Sequence, residues 1–288
     1  MATIRNPVEW GMDQFRTWSR AVASGSHAVY QADEKVDSLV PAIRRITPAD
    51  LKDVLAKGLD DFGAYRTDVI FLCLIYPVIG VVLARAAYGR DMLQLLFPLA
   101  SGFALVGPFA AIGLYEMSRR REEGVTITWR DAFGVLGSAS FSAILALGMV
   151  LVVIFGLWLA TALAIYAVTL GPAPPASLGS FIHDLFTTGA GWALIIVGVG
   201  VGFLFACFVL AISVVSFPLL LDRHVGVATA MWTSVRAVMA NPVPMALWGL
   251  IVAAGLVIGS IPLFVGLAVV MPVLGHATWH LYRKVVAH

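Results

Sequence analysis

Two histidines four residues apart, His276 and His280, stand in the stretch Met271-Pro-Val-Leu-Gly-His-Ala-Thr-Trp-His-Leu-Tyr-Arg-Lys284, which ends a long apolar segment. Positions i and i+4 of a helix share a face, so both imidazoles can point the same way. Imidazole ligates zinc, copper or iron and exchanges protons near neutral pH. Two carboxylates fall at matching places: Glu116 ends one apolar segment, and Asp222 ends another with Arg223 and His224 beside it. Together His276, His280, Glu116 and Asp222 would offer four nitrogen and oxygen donors to a metal ion. Haem is a further cofactor for facing imidazoles, although two residues on one helix face cannot supply both of its axial ligands. Proton or quinone handling would use the same groups. The structural alternative is that Glu116 and Asp222 pair with Arg119 and Arg223 at a membrane boundary, while the histidines bond carbonyls freed by prolines. His276-Ala-Thr-Trp-His280 has the histidine spacing of a zinc-protease helix but lacks its acid, and no phosphate loop, CxxC or CxxCH occurs.

What must position these groups is set by composition. Sixty per cent of the 288 residues are hydrophobic, 12% are charged, and mean hydropathy is +0.90. A soluble domain is nearer half apolar and a quarter charged, so the chain reads as an integral protein whose first partner is the lipid bilayer. The formal net charge of +2 hides an uneven distribution that bears on topology, and no nucleic-acid partner is expected. Cys73 and Cys207 both lie in apolar runs and read as small hydrophobes rather than a disulfide framework.

A helix needs about 20 apolar residues to span the hydrocarbon. Six such spans are predicted near residues 68–87, 93–117, 141–170, 190–221, 243–259 and 261–281, the last two joined by a tight turn at Ser260-Ile261-Pro262. Residues 1–46 read as a partly ordered cytosolic arm, and residues 47–288 as the transmembrane domain. Thr47-Pro48-Ala49-Asp50 is a helix start. It opens an interfacial helix with Leu51, Val54, Leu55, Leu59 and Phe62 on one face and Lys52, Asp53, Lys57 and Asp60 opposite. Thr128-Trp129-Arg130-Asp131 and the stretch from Gly226 to Asn241-Pro242 repeat that theme, the latter with Val227, Met231, Val235 and Val238 along one side. The second span of each pair carries an internal proline (Pro108, Pro218, Pro272) followed by basic residues. The expected fold is all-α and polytopic: six transmembrane helices in three hairpins, each preceded by a short surface helix, as a pseudo-threefold repeat.

Of the nineteen Lys and Arg residues, all but Arg85 and Arg90 fall on one side of these spans, and the positive-inside rule places that side, with both termini, in the cytoplasm. His276 and His280 then lie about 21 and 27 Å along the last span at 1.5 Å per residue, in its inner third. The loop Gly171-Pro-Ala-Pro-Pro-Ala-Ser-Leu-Gly179 falls outside. Arg119, Arg223, Arg283 and Lys284 are expected to form structural pairs or to meet anionic headgroups. Gly198-Val-Gly-Val-Gly202 lacks the preceding strand of a nucleotide loop, so Gly198 and Gly202 are expected to serve helix packing.

Several separated motifs agree in order: Gly102-Phe-Ala-Leu-Val-Gly-Pro108, Gly113-Leu-Tyr-Glu-Met-Ser-Arg119, Ser216-Phe-Pro-Leu-Leu-Leu-Asp-Arg223, Ser234-Val-Arg236, Asn241-Pro242 and Gly275-His-Ala-Thr-Trp-His-Leu-Tyr-Arg283. The chain in this respect resembles a bacterial membrane-protein family of unknown function, over residues 50–285. That resemblance implies the bacterial inner membrane. Some members are labelled putative cytochrome c oxidase subunits, which implies an accessory or assembly role beside respiratory-complex subunits. The six-histidine pattern of a haem–copper catalytic subunit is missing. Three readings stay open: a non-catalytic accessory, assembly or scaffold protein; a metal- or haem-binding membrane protein; and a small transporter. Ser101, Thr161 and Ser213 are sparse for a water path, which weighs against the third.

Overall fold

The computed structural model describes residues 41–73, 85, 93–125, 134–135, 137–262 and 264–287. Residues 1–40 of the expected arm, most of the first expected span and Thr128–Asp131 lie outside the described residues. What is described is helical, apart from loops and one isolated antiparallel bridge between Ile43 and Val286.

Helix α1 runs Pro48–Cys73. Its start uses Asp50 more than Thr47: the backbone N–H and the hydroxyl of Thr47 both donate to Asp50 Oδ2 at 2.8 Å. This is the reach-back half of a capping box. The helix does not stop near Phe62, where surface helix and first span were expected to part. Its buried stripe is also different from the expected one. Leu51, Val54, Gly58 and Asp61 face inward, at the three- and four-residue spacing of one helix face, while Leu59 is 54% exposed.

The partner of that stripe is the last helix, α10 (Leu267–Val285), which runs antiparallel to α1. Lys284 pairs with Asp50 and Asp53 at one end, each at 2.8 Å. Further along, a Cβ on Gly58 would lie 2.8 Å from Ala277 Cβ and 2.8 Å from the Val273 carbonyl oxygen. Only glycine permits so close an approach. Leading into α1, Arg44 N–H donates to Val285 O at 2.7 Å and Ala287 N–H to Ala42 O at 2.9 Å. Buried Asn241 fastens the same segment, accepting from Ile46 N–H at 2.7 Å and donating to Arg44 O at 3.1 Å.

Between α1 and α10 stand four segments that, among the described residues, are long and apolar enough to cross a membrane: Leu93–Glu122, Phe141–Thr169, Gly189–Asp222 and Pro242–Ser260. The first comprises a 3-10 turn, α2 (Leu96–Ala110) and α3 (Ile112–Glu122), with a break at Ala111 close to Pro108. The second is α4 (Phe141–Thr169), which is unbroken. The third is α6 (Gly189–Ser213) followed by α7 (Ser216–Asp222), broken just before Pro218. Pro218 has no N–H and its ring crowds the preceding turn. Ser234 Oγ serves the gap by accepting from Val215 N–H at 3.2 Å, and Ser216 Oγ ties the broken segment to its neighbour by donating to Ala230 O at 3.0 Å. Both partners come from α8 (Val227–Ala240), which ends at Asn241-Pro242 as expected. Its buried face is Ala230, Thr233, Ser234 and Ala237, with the valine stripe only half-buried.

The fourth segment is α9 (Pro242–Ser260). Its connection to α10 is longer than the expected three residues, occupying 261–266 with Phe264 in the left-handed region at φ 66°. Being buried along most of its length and carrying two histidines and two basic residues, α10 is not one of the four apolar segments. A further helix, α5 (Leu178–Thr187), lies between α4 and α6 where only a loop was expected.

The outward faces of α4, α6 and α9 are apolar. In α6 only 11% of the most apolar window is buried, and Ile196, Phe203 and Leu204 are each about two-thirds exposed. Water does not tolerate a continuous patch of this kind, and a bilayer requires it. A test of the α1–α10 crossing is Gly58→Val. Overpacking against backbone costs about 1–3 kcal/mol, so the variant should unfold at clearly lower temperature in mild detergent, while Gly63→Val, with open space around it, should not.

Candidate functional site

Asp61 is the centre of the buried polar cluster. It is 5% exposed on α1, and its neighbours are Ser118 on α3 and His276 and His280 on α10, exposed by 1, 1 and 8%. The approach of α3 to α10 is close, since a Cβ on Gly275 would lie 2.6 Å from Leu114 Cδ1.

The carboxylate accepts from three side chains. Ser118 Oγ donates to Oδ2 at 2.6 Å, His280 Nε2 lies 2.9 Å from the same oxygen, and Arg121 Nη1 donates to Oδ1. Burial alone would raise the Asp61 carboxyl, but the bonds from His280 and Ser118 outweigh it and hold the group below the usual carboxylate range. Asp61 is therefore ionised and acts only as an acceptor. That assigns the protons around it. The Ser118 hydroxyl proton is committed to Asp61, so His276 Nδ1, 2.8 Å from Ser118 Oγ, must be the donor in that pair. His280 likewise carries its proton on Nε2. In neutral His276 the other nitrogen, Nε2, then carries no proton, and among the described residues no hydrogen-bond donor reaches it. His280 Nδ1 lies 3.7 Å from Glu122 Oε1, and Glu122 also meets Arg283 at 3.0 Å. A run of polar atoms thus leads from Glu122 at the surface through His280, Asp61 and Ser118 to His276.

The expected quartet is not assembled in this way. His276 and His280 share Asp61, which the sequence reading passed over. Glu116 is buried against α3's own arginines: Arg119 grips it with Nε at 2.8 Å and Nη2 at 2.9 Å, and Arg120 Nε approaches at 2.6 Å. Asp222 accepts from the Tyr282 hydroxyl at 2.5 Å, with Arg223 at 3.8 Å and Arg283 at 4.0 Å. Among the described residues no three His, Cys, Asp or Glu side chains are grouped to hold a metal ion. Arg223 also donates to Ala287 O at 2.7 Å, and Lys284 is held by Asp50 and Asp53, which raises its ammonium above the ordinary lysine value. Of the two packing glycines, Gly202 lies where a Cβ would be 3.0 Å from Trp158, whereas Gly198 has nothing within 4 Å. Gly198 thus makes no close packing contact among the described residues.

A signal for Asp61 was present. Leu51, Val54 and Gly58 step along one face, and the next position on that face is Asp61. An acid in an apolar stripe marks a buried partner. Ser118 carries no comparable mark.

A helical core in which α4, α6 and α9 turn apolar faces outward, closed at one end by buried ion pairs, defines an integral membrane protein. Residues 96–222 match the model of a family described as "Predicted integral membrane protein (DUF2189)", a domain of unknown function. The chain is similar to that family over this stretch, as its motifs implied, and the family description carries no oxidase label. No curated protein matches the chain, and no solved structure matches it. The matched stretch contains Glu116, Ser118, Arg121 and Asp222 but neither Asp61 nor the two histidines.

Asp61→Asn keeps the shape and removes the charge. It should lower unfolding stability by about 1–3 kcal/mol near neutral pH. The sign with pH follows from the depressed carboxyl. The native protein keeps this stabilisation above the ordinary carboxylate range, about pH 4, and loses it as pH falls through the lower folded value. Denaturation in detergent across that range should therefore show a gap between wild type and variant that closes in acid; a gap independent of pH contradicts the assignment.

Proposed function

We propose that this chain is a non-catalytic accessory or assembly component of a membrane complex in the bacterial inner membrane. It crosses the membrane six times in three hairpins, with residues 43 and 286 on the cytoplasmic side. The observation that carries the reading is that the buried acids are answered inside the chain: Asp61 by Ser118, His280 and Arg121, and Glu116 by Arg119 and Arg120. Such a cluster holds helices together, while the apolar sides of α4, α6 and α9 remain for lipid and partner helices. Six crossings bring the flanking segments to one side, in keeping with the bridge between Ile43 and Val286. The lopsided distribution of Lys and Arg makes that side the cytoplasm. The helix order α8, α9, α10 supports reading the last unit as a surface helix followed by a hairpin. Respiratory-complex subunits, those of a terminal oxidase first, are the partners suggested by the resemblance.

Purification of the full chain from native membranes in mild detergent, followed by mass spectrometry, should recover respiratory-complex subunits in fixed ratio. Recovery of the chain alone overturns the accessory role. A fluorescent reporter that folds only in the cytoplasm, fused after His288, should be bright; a dark fusion at normal abundance overturns the orientation.

A second reading, proton handling, is favoured by one feature: the chain of polar atoms from Glu122 to Nε2 of His276, which no donor among the described residues reaches. Under that reading, proteoliposomes should take up protons after an acid pulse faster than empty vesicles, and Asp61→Asn should remove the difference.

A further inference from the structure

Helix α5 has a clean division that the function above does not use. At 3.6 residues per turn, Leu178, Phe181, Ile182, Leu185 and Phe186 fall on one side, and Ser180, His183, Asp184 and Thr187 on the other. The ends are independently set. Ser177 and Ser180 form a reciprocal capping box at the start, and Thr188 accepts from Gly191 N–H where α6 begins. Half of the apolar side is used inside the chain: Phe181 and Leu185 are partly buried, and the Phe181 ring lies 6.3 Å from Tyr166 of α4. The other half is not. Leu178, Ile182 and Phe186, spaced by four, are 41, 47 and 56% exposed.

Where α5 sits follows from its neighbours. Ser140, which opens α4, lies 3.3 Å from His224, just beyond α7 and close to the Asp222–Tyr282 pair. From there α4 runs 29 residues, or about 43 Å at 1.5 Å per residue, before the chain turns into α5. The helix therefore stands at the far end of the apolar segments, held between the ends of two of them. Its free stripe continues into exposed Trp192 and Ile196 of α6, and Phe186 meets Trp192 edge to face at 6.4 Å. Tyr and Trp at such a level are the residues of a membrane–water boundary.

We propose that α5 is a lipid-docked helix, with Leu178, Ile182 and Phe186 seated in the headgroup–acyl boundary of the leaflet opposite the Asp61 cluster. The helix carries no Lys or Arg, so it holds by apolar insertion and does not require anionic lipid. It keeps the proline-containing loop 171–177 at the surface and fixes the level at which α6 enters the bilayer.

The test uses the full chain with Cys73→Ala and Cys207→Ala, carrying one new cysteine at a time: Ile182→Cys, Phe186→Cys, or His183→Cys on the polar side. Each is reconstituted at low protein-to-lipid ratio into vesicles of phosphatidylcholine alone, and its reaction with a charged maleimide is timed. All three are expected to label fully after denaturation in SDS. In vesicles, Ile182→Cys and Phe186→Cys should react about tenfold or more slowly than His183→Cys, as expected for apolar side chains withdrawn from water. Equal rates for the three positions overturn the proposal. So does protection seen in native membranes but lost in pure-lipid vesicles, which would assign the stripe to another protein. Protection that disappears on further dilution into lipid would assign it to a second copy of this chain, and overturns it as well.

Discussion

A carboxylate withdrawn from water must find donors, and in this protein that requirement ties the first described helix to the last. Asp61 alone on α1 would carry a desolvation cost of several kcal/mol, far more than one hydrogen bond returns. It is offset because α3 and α10 bring a hydroxyl, an imidazole and a guanidinium to its two oxygens. The close crossing at Gly58 and Ala277 is what lets them reach. Packing and charge are therefore coupled: a side chain added at Gly58 and a charge removed at Asp61 disturb the same joint.

Elsewhere the chain tolerates breaks where backbone partners are supplied from outside the helix. At the gap between α6 and α7, Val215 N–H donates to Ser234 of α8 and Ser216 Oγ donates to Ile212 O, and in the first apolar segment Pro98 O accepts from the Trp158 indole N–H at 3.0 Å. In hydrocarbon no water can serve a freed carbonyl or N–H. Small hydroxyls and one indole do so here, which explains why these few polar side chains lie within otherwise apolar surroundings.

The membrane class was legible because hydropathy and length suffice for it, and the corner at Asn241-Pro242 because asparagine and proline end helices by local chemistry. The continuity of α1 through Phe62 was not, because nothing in Leu51–Phe62 distinguishes a helix lying on a surface from one packed against a neighbour. Leu59 and Asp61 exchange the expected roles for that reason: apolar Leu59 faces out and charged Asp61 faces in. His280 reaches Asp61 directly, and His276 reaches it through Ser118. Their partner was not found, because Glu116 and Asp222 share a boundary with them in sequence terms while arginines and Tyr282 claim those acids in space. Helix α5 was hidden behind the prolines of the preceding loop, although its two-sided pattern is plain once the Ser177 cap is seen.

The bond from His280 to Asp61 joins residues 219 apart in the chain. Synthesis at about 5–20 residues per second leaves roughly 10–40 s in which the acid has emerged and the imidazole has not. Throughout that interval α1 lacks its antiparallel companion. Until the last segment arrives, the carboxylate lacks its imidazole and must be solvated by water. The joint is thus completed by the end of the chain, and a product ending before residue 276 would hold the four apolar segments described above with α1 still undocked.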